Sequence, residues 1–209
     1  MKLNNMIKPL IIDVKSGNIL SLKNILSNIN NDVVISNNED EIKNCTHIFL
    51  PGVGNYSNVM EKLKKMINIS FLKDQITNKK KPILGICVGM QIMSTSGEEN
   101  GEHRGLGLID GIVKKIETKK ILPHVGWNSI KILNNDKIFE GIPDETDFYF
   151  THSYYFNLTN RQNELAVTSY GINFPSIVKS GNIYGVQFHP EKSQGAGIKF
   201  IKNFLNLKN

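Results

Sequence analysis

The sequence has little arginine and little cysteine. Arg104 and Arg161 are the only arginines in 209 residues, so lysine supplies nearly all of the positive charge. Base exceeds acid by 25 to 19, a formal charge of +6. Nucleic-acid surfaces cluster arginine and lysine with aromatic residues, whereas these lysines are scattered. The one tight run, Lys79-Lys80-Lys81, precedes an apolar segment and reads as a solvated flank. No nucleic-acid partner is expected. The two cysteines, Cys45 and Cys87, form no disulfide framework and no metal-ligand spacing. That excludes a stapled secreted domain and fits a cytoplasmic setting. No apolar run approaches the ~18 residues of a membrane span. Met1 to Lys8 are polar and lack the apolar core of a secretion signal. Internal repeats and low-complexity tracts are also missing.

What is present is an ordinary globular composition, 40% hydrophobic and 21% charged. The length suits one domain over residues 1–209, because about 150–250 residues bury one sizeable core. Pro9 to Val14 reads as a buried strand ending in the turn Lys15-Ser16-Gly17-Asn18. Ile19, Leu22, Ile25, Leu26 and Ile29 then recur at helical spacing. Asp32 to Ser36, Thr46 to Leu50 and Pro82 to Ile86 read as further strands. Val59, Leu63 and Ile67 mark a helix, and a helical pattern follows Cys87 through Met93. Continuous apolar strands alternating with helices indicate a parallel sheet covered on both faces. The second half adds strands at Gly111 to Ile116, Ile121 to Val125, Phe148 to His152, Leu165 to Ser169, and a hairpin of Ser176 to Lys179 with Ile183 to Phe188. A closing helix spans about Gly197 to Leu205. The expected fold is α/β, with a mainly parallel central sheet and extra antiparallel strands in the C-terminal half.

Two constellations carry chemistry. In Gly85-Ile86-Cys87-Val88-Gly89 a buried strand runs into a nucleophile-type residue flanked by glycines. This is the strand-to-helix elbow of G-x-S-x-G with cysteine in the serine position. The glycines remove side chains that clash on so sharp a turn. The helix N-terminus beneath favours thiolate, and the Val88 amide is offered to a developing oxyanion. The alternative is a buried core cysteine between packing glycines. Cys45, in its apolar context, takes that reading. The second constellation is His189-Pro190-Glu191 at the end of an apolar strand. His189 suits the base that takes the thiol proton and returns it to a leaving amine. Glu191 suits the group that orients the ring. Both elements end at the C-terminal sheet edge, where α/β active sites lie.

With Met90-Gln91 added to the first segment and Gln187-Phe188 and Lys192-Ser193 to the second, the chain resembles the class I (triad) glutamine amidotransferases. Pro51-Gly52-Val53-Gly54, Pro123-His124-Val125-Gly126-Trp127-Asn128 and Tyr149-Phe150-Thr151-His152-Ser153-Tyr154-Tyr155 are similar to the branch that serves as glutaminase subunit of imidazole glycerol phosphate synthase. The likeness runs from Ile11 to Phe204 and implies a flavodoxin-like three-layer sandwich. It implies Cys87 as nucleophile, His189 as base and acid, and Glu191 as orienter. Val88 and Val53 would form the oxyanion hole, with rotation of the Gly52–Val53 peptide. Gln91, Glu99, Ser153 and Tyr154 would hold the glutamine α-amino and α-carboxylate groups. Asn18, His124, Trp127, Asn128, Tyr149 and Lys192 would face the partner.

The residues alone leave simpler readings open. Glu99 also suits a solvated acid beside Glu98, Ser153 and Tyr154 ordinary strand positions, and Trp127 a buried aromatic. His47 and His103 show no pattern, and His152 reads as structural.

The implied reaction is hydrolysis of glutamine to glutamate and ammonia through a thioester, without cofactor or metal. The length leaves little room for a second catalytic domain, so ammonia passes to another chain. In the family branch this is a cyclase with a (β/α)₈ barrel, in a heterodimer that forms imidazole glycerol phosphate and aminoimidazole carboxamide ribotide in histidine biosynthesis. One departure is Asp13-Val14-Lys15, where many relatives carry Asp-Tyr-Gly. Paralogues that supply ammonia for surface-sugar amidation are the alternative. Two other classes compete: a non-catalytic binding subunit, disfavoured by the intact triad, and a stand-alone cysteine hydrolase, disfavoured by Gln91 and the Trp127 segment.

Overall fold

Short, wholly apolar segments build the centre of the molecule, because a strand covered on both faces has no polar side to present. The computed structural model describes residues 7–15, 18–29 and 32–207. Ser16 and Gly17 of the expected first turn, and Met1 to Met6 of the polar start, lie outside the described residues. The first half alternates: β1 (Pro9–Ile11), α1 (Ile19–Ile29), β2 (Val34–Ile35), α2 (Glu39–Asn44), β3 (His47–Gly52), α3 (Tyr56–Met66), α4 (Ile69–Thr77), β4 (Ile83–Cys87) and α5 (Val88–Gln91). Asparagine starts three of these helices. The side chains of Asn38, Asn55 and Asn68 each accept from two amides of the first turn of α2, α3 and α4, satisfying donors that have no partner inside the helix.

The second half comprises β5 (Ser96–Gly97), β6 (His103–Arg104), β7 (Gly111–Lys115), β8 (His124–Ile132), β9 (Thr146–His152), β10 (Tyr154–Leu158), β11 (Glu164–Tyr170), β12 (Ile172–Ser180), β13 (Ile183–Val186) and α6 (Gln194–Leu205). The large sheet has the order β2-β1-β3-β4-β13-β12-β11-β8-β9. From β2 to β13 all pairs are parallel; from β13 to β9 all are antiparallel. A smaller sheet has the order β10-β7-β5-β6. The chain steps outward from β1 to β2 and then back to β3 and β4. Right-handed crossovers therefore place α1 on one face and α2 to α4 on the other. α6 packs against α1. This is the expected flavodoxin-like sandwich with its antiparallel extension. Among the described residues no helix is long and apolar enough to cross a membrane.

Some elements depart from the sequence reading. The strand expected at Ile121 to Val125 begins only at His124 and continues to Ile132. Ile121 is 85% exposed, and Pro123 has no N–H for a ladder. The helix expected through Met93 ends at Gln91. The carbonyls of Ile92, Met93 and Ser94 are taken by amides of the 106–109 loop, so the chain turns toward β5. The helices α2 and α4 and the strands β5, β6 and β10 were not anticipated.

The edge of the large sheet folds back on its middle. The His189 N–H, just beyond β13, donates to the Tyr149 carbonyl of β9 at 2.8 Å. The Tyr149 N–H donates to Ser193 Oγ at 3.0 Å. Phe148 stacks on Phe188 with ring centroids 4.0 Å apart. Equally tight is the seat of α5 on β3. A Cβ on Gly89 would lie 1.8 Å from the Leu50 carbonyl oxygen. Gly89→Ala should therefore cost about 3 kcal/mol or more of stability, at or beyond the upper end for overpacked sites, as read by urea denaturation.

Candidate active site

Cys87 ends β4 with φ +55° and ψ −114°, a left-handed backbone that is strained for a residue with a side chain. The glycines allow it. A Cβ on Gly85 would stand 2.7 Å from the Gly89 carbonyl oxygen, and one on Gly52 2.9 Å from the Gly89 nitrogen. Gly52 pairs with Cys87 across β3 and β4, so the oxyanion-strand segment is set directly beside the cysteine. α5 is a single turn, and the helix-dipole contribution expected from a longer helix is correspondingly small. The Cys87 thiol is 4% exposed. It donates to the Thr151 carbonyl at 3.9 Å, and Gln187 Nε2 donates to its sulfur at 3.8 Å.

The histidine and glutamate meet as the sequence suggests. Pro190 opens a 3-10 turn, Pro190–Lys192, that folds Glu191 back on the ring. His189 Nδ1 and Glu191 Oε1 are 2.8 Å apart, with side chains 1% and 4% exposed. His189 Nε2 and Glu191 Oε2 make no hydrogen bond among the described residues. Burial by itself pulls the His189 pKa down. The Cys87 sulfur and then Glu191 outweigh it and raise the imidazole to about 10. Because Nε2 has no formed bond, the sulfur acts on the ring mainly through charge across the cavity.

That cavity measures about 290 Å³. Cys87, His189, Val53, Val88, Gln91, Glu99, Ser153 and Tyr154 all line it, joined by Gly54, Pro123, Thr151 and His152. The structure thus gathers the expected nucleophile, base, oxyanion loop and glutamine-holding residues around one space. Glu99 is not a free surface acid: its Oε2 accepts the Tyr56 N–H at the start of α3 at 2.7 Å. Burial and the Glu99 charge both raise the Tyr154 phenol. Gln91 Nε2 donates to the Tyr154 carbonyl and to Gln187 Oε1, each at 3.0 Å. Among the described residues no cluster of His, Cys, Asp and Glu is arranged to hold a metal ion.

The residues expected to face a partner divide. Trp127 is 49% exposed rather than buried, and Val125 beside it on the same face of β8 is 56% exposed. Tyr149 lies opposite Trp127 in the ladder, and the Lys192 ammonium stands 5.5 Å from the Tyr149 ring centroid. Asn128 bonds the Ser169 carbonyl at 3.1 Å. The Asn18 carbonyl accepts the Leu22 N–H at the start of α1. His124 is buried within the chain, 3% exposed and stacked on Tyr170 with ring centroids 4.0 Å apart. It points inward with the buried face of β8. Its Nδ1 lies 3.2 Å from His152 Nε2. Burial lowers these imidazoles to about 4 for His124 and about 3 for His152. Cys45 is the core residue expected, its thiol pushed up to about 11 by burial. The sequence reading assigned no role to Gln187 or Thr151, and it took His152, which lines the cavity, as structural. Gln187 lay inside a quoted motif, and an amide in an otherwise apolar run was the available signal.

A strained cysteine at a strand-to-helix elbow, facing a buried His–Glu pair at the C-terminal edge of a parallel sheet, defines an α/β enzyme of the thiol acyl-transfer class. The chain belongs to the class-I glutamine amidotransferase family, whose model matches residues 10–207, and it is a glutamine amidotransferase. It is 41% identical over 197 residues to "Imidazole glycerol phosphate synthase subunit HisH" of Methanocaldococcus jannaschii, covering 94% of this chain and 98% of that protein. The protein of the same name from Leptospira borgpetersenii is 40% identical over 202 residues, with the same shares covered. Among solved structures, "Structure of PurLQS from Thermotoga maritima" superposes with a TM-score of 0.72 at 20% identity, over 96% of this chain and 98% of that one. "Crystal structure of glutamine amidotransferase" does so with 0.74 at 15% identity, over 94% and 96%. These likenesses support the flavodoxin-like fold.

The electrostatics predict a sharp contrast among the histidines. At neutral pH, imidazole nitrogen NMR should show His189 protonated and His124 and His152 neutral. Cys87→Ala should lower the His189 midpoint from about 10, and Glu191→Gln should lower it less. His189 holds its proton more tightly folded than unfolded. Its contribution to stability is therefore complete below an ordinary histidine pKa of about 6.5. It is lost as pH rises through about 10.

Proposed function

We propose that this chain is the glutaminase subunit of an imidazole glycerol phosphate synthase and acts as one amidotransferase domain. The observation that carries the proposal is the shared cavity: Cys87, His189, Gln91, Glu99, Ser153 and Tyr154 line one space, with Glu191 bonded behind His189. Cys87 attacks the glutamine side-chain amide. The oxyanion is met by the amides of Val88 and, after rotation of the Gly52–Val53 peptide, of Val53. His189 delivers its proton to the leaving ammonia, and a γ-glutamyl thioester remains on the sulfur. Water activated by neutral His189 then releases glutamate. Gln91, Glu99, Ser153 and Tyr154 hold the α-amino and α-carboxylate groups.

Ammonia is useful only if it stays neutral and out of bulk water, so the acceptor must dock beside the cavity. The half-exposed Trp127, with Val125, Tyr149 and Lys192, offers the apolar and cationic face for it, and Trp is a frequent interface anchor. The relatives named as synthase subunits support a partner subunit here. We assign it as a cyclase with a (β/α)₈ barrel that makes imidazole glycerol phosphate and aminoimidazole carboxamide ribotide.

Glutamate release, assayed with that cyclase and its phosphorylated ribonucleotide, should fall at least about a thousandfold in Cys87→Ala, the scale for a lost nucleophile. Survival of activity in that variant refutes the mechanism. Trp127→Ala should weaken the complex about thirtyfold, a hot-spot loss, measured by calorimetry, while leaving the Cys87 site intact. Glutamate release without imidazole glycerol phosphate would point instead to the surface-sugar acceptor, the reading that Asp13-Val14-Lys15 keeps open.

A further inference from the structure

One fully buried amide outside the triad reaches the nucleophile. Gln187 has no exposed surface. Its Nε2 lies 3.8 Å from the Cys87 sulfur, and its Oε1 3.0 Å from Gln91 Nε2. The surroundings force this orientation. The Tyr154 carbonyl can only accept, and Gln91 and His152 Nδ1 meet it at 3.0 and 2.8 Å. The Gln91 group that faces it is therefore the NH₂, and the second hydrogen of that group needs an acceptor. Gln187 supplies its oxygen, which turns its own NH₂ onto the sulfur. The histidine arm runs in the same sense. His152 carries its proton on Nδ1, so its Nε2 accepts from His124 Nδ1 at 3.2 Å, and His124 Nε2 accepts from Asn128 Nδ2 at 3.3 Å. Reversing any member would set donor against donor or acceptor against acceptor in a dry interior, where unmatched polar groups are costly.

The sulfur lies between opposed dipoles. The Thr151 carbonyl, 3.9 Å away, suits a thiol that donates to it and repels a thiolate. The Gln187 N–H suits the thiolate, since a hydrogen bond to an ionised partner is the stronger one. We propose that Gln187 is a positioning residue for the nucleophile: its N–H, aimed by Gln91, holds the Cys87 thiolate against the repulsion of the Thr151 carbonyl. The purpose assigned to it rests on the glutaminase reading. The ionisable groups facing the cavity are His189, backed by Glu191, from the segment after β13; His152 and Tyr154 from β9 and β10; and Glu99 from the loop after β5.

The test reads the sulfur itself. On the full chain in a Cys45→Ala background, iodoacetamide alkylation of Cys87 is followed against pH, with the modified peptide identified by mass. Gln187→Met keeps volume and removes the N–H; Gln187→Leu is the second variant should the first disturb folding, which far-ultraviolet circular dichroism checks. The alkylation midpoint should rise by about one pH unit or more, a tenfold or greater loss of rate at pH values below the wild-type midpoint, where the reactive thiolate is the minor form. A folded variant with an unchanged alkylation profile overturns the proposal. A midpoint that shifts as expected, in a protein whose wild-type chain releases no glutamate when assayed with the cyclase and its phosphorylated ribonucleotide, supports the role of Gln187 and refutes the glutaminase reading, so the two failures are distinct.

Discussion

The site depends on a backbone hydrogen bond, from the His189 N–H to the Tyr149 carbonyl at 2.8 Å. β9 is the last strand of the large sheet, with β12, β11 and β8 lying between it and β13 in the ladder. That bond, its companion to Ser193 Oγ and the stack of Phe148 on Phe188 bring the edge to the middle. With them the sheet curls until β9 covers the end of β4. Thr151, His152, Ser153 and Tyr154 then form one wall of a space whose other wall is Cys87, Val88 and Gln91. A parallel sheet alone leaves its C-terminal edge open. Here the antiparallel extension covers it on one side, and burial of the side chains around the cavity strengthens the charge interactions between them.

Burial, set against neighbouring charges, explains why histidines close together in space differ in charge. Burial disfavours the imidazolium at His124, His152 and His189 alike. Only His189 has anionic neighbours, the sulfur and the Glu191 carboxylate, to compensate. His152 has a carbonyl, which helps less, and it also feels the charges of His124 and His189 against it. The result is a cationic ring beside the nucleophile and a neutral pair one layer behind. The neutral pair can transmit hydrogen-bond direction because neither ring carries a second proton. A protonated His152 would present a donor to His124 and break the sense of the chain.

Much of this was legible from residues alone. The elbow was readable because its glycines serve a steric need that no other residue meets, and the contacts at Gly85 and Gly89 are the ones the motif requires. The parallel half was readable because apolar strands with no polar face have few alternatives. Elements were missed where local sequence carries little periodic information. β5 and β6 are two residues each and exist only through their ladder partners. α2 buries only Ile42, so it shows no stripe, and its true signal was the cap at Asn38. Asn38, Asn55 and Asn68 each cap a helix in the same way. Ile121 misled because hydrophobicity was read as burial, whereas 85% of it is exposed. The inward turn of His124 was not legible, because strand alternation fixes two faces without saying which is the core.

β9 also ties the exposed face to the nucleophile. Its side chains alternate, with Phe148, Phe150 and His152 buried and Asp147, Tyr149 and Thr151 less so. The Tyr149 ring therefore lies outward, against Trp127 and Lys192, while the Tyr149 carbonyl holds the His189 backbone. Two residues on, the Thr151 carbonyl receives the Cys87 thiol. The surface suited to an ammonia acceptor and the hydrogen bonds that set base and nucleophile are parts of one strand.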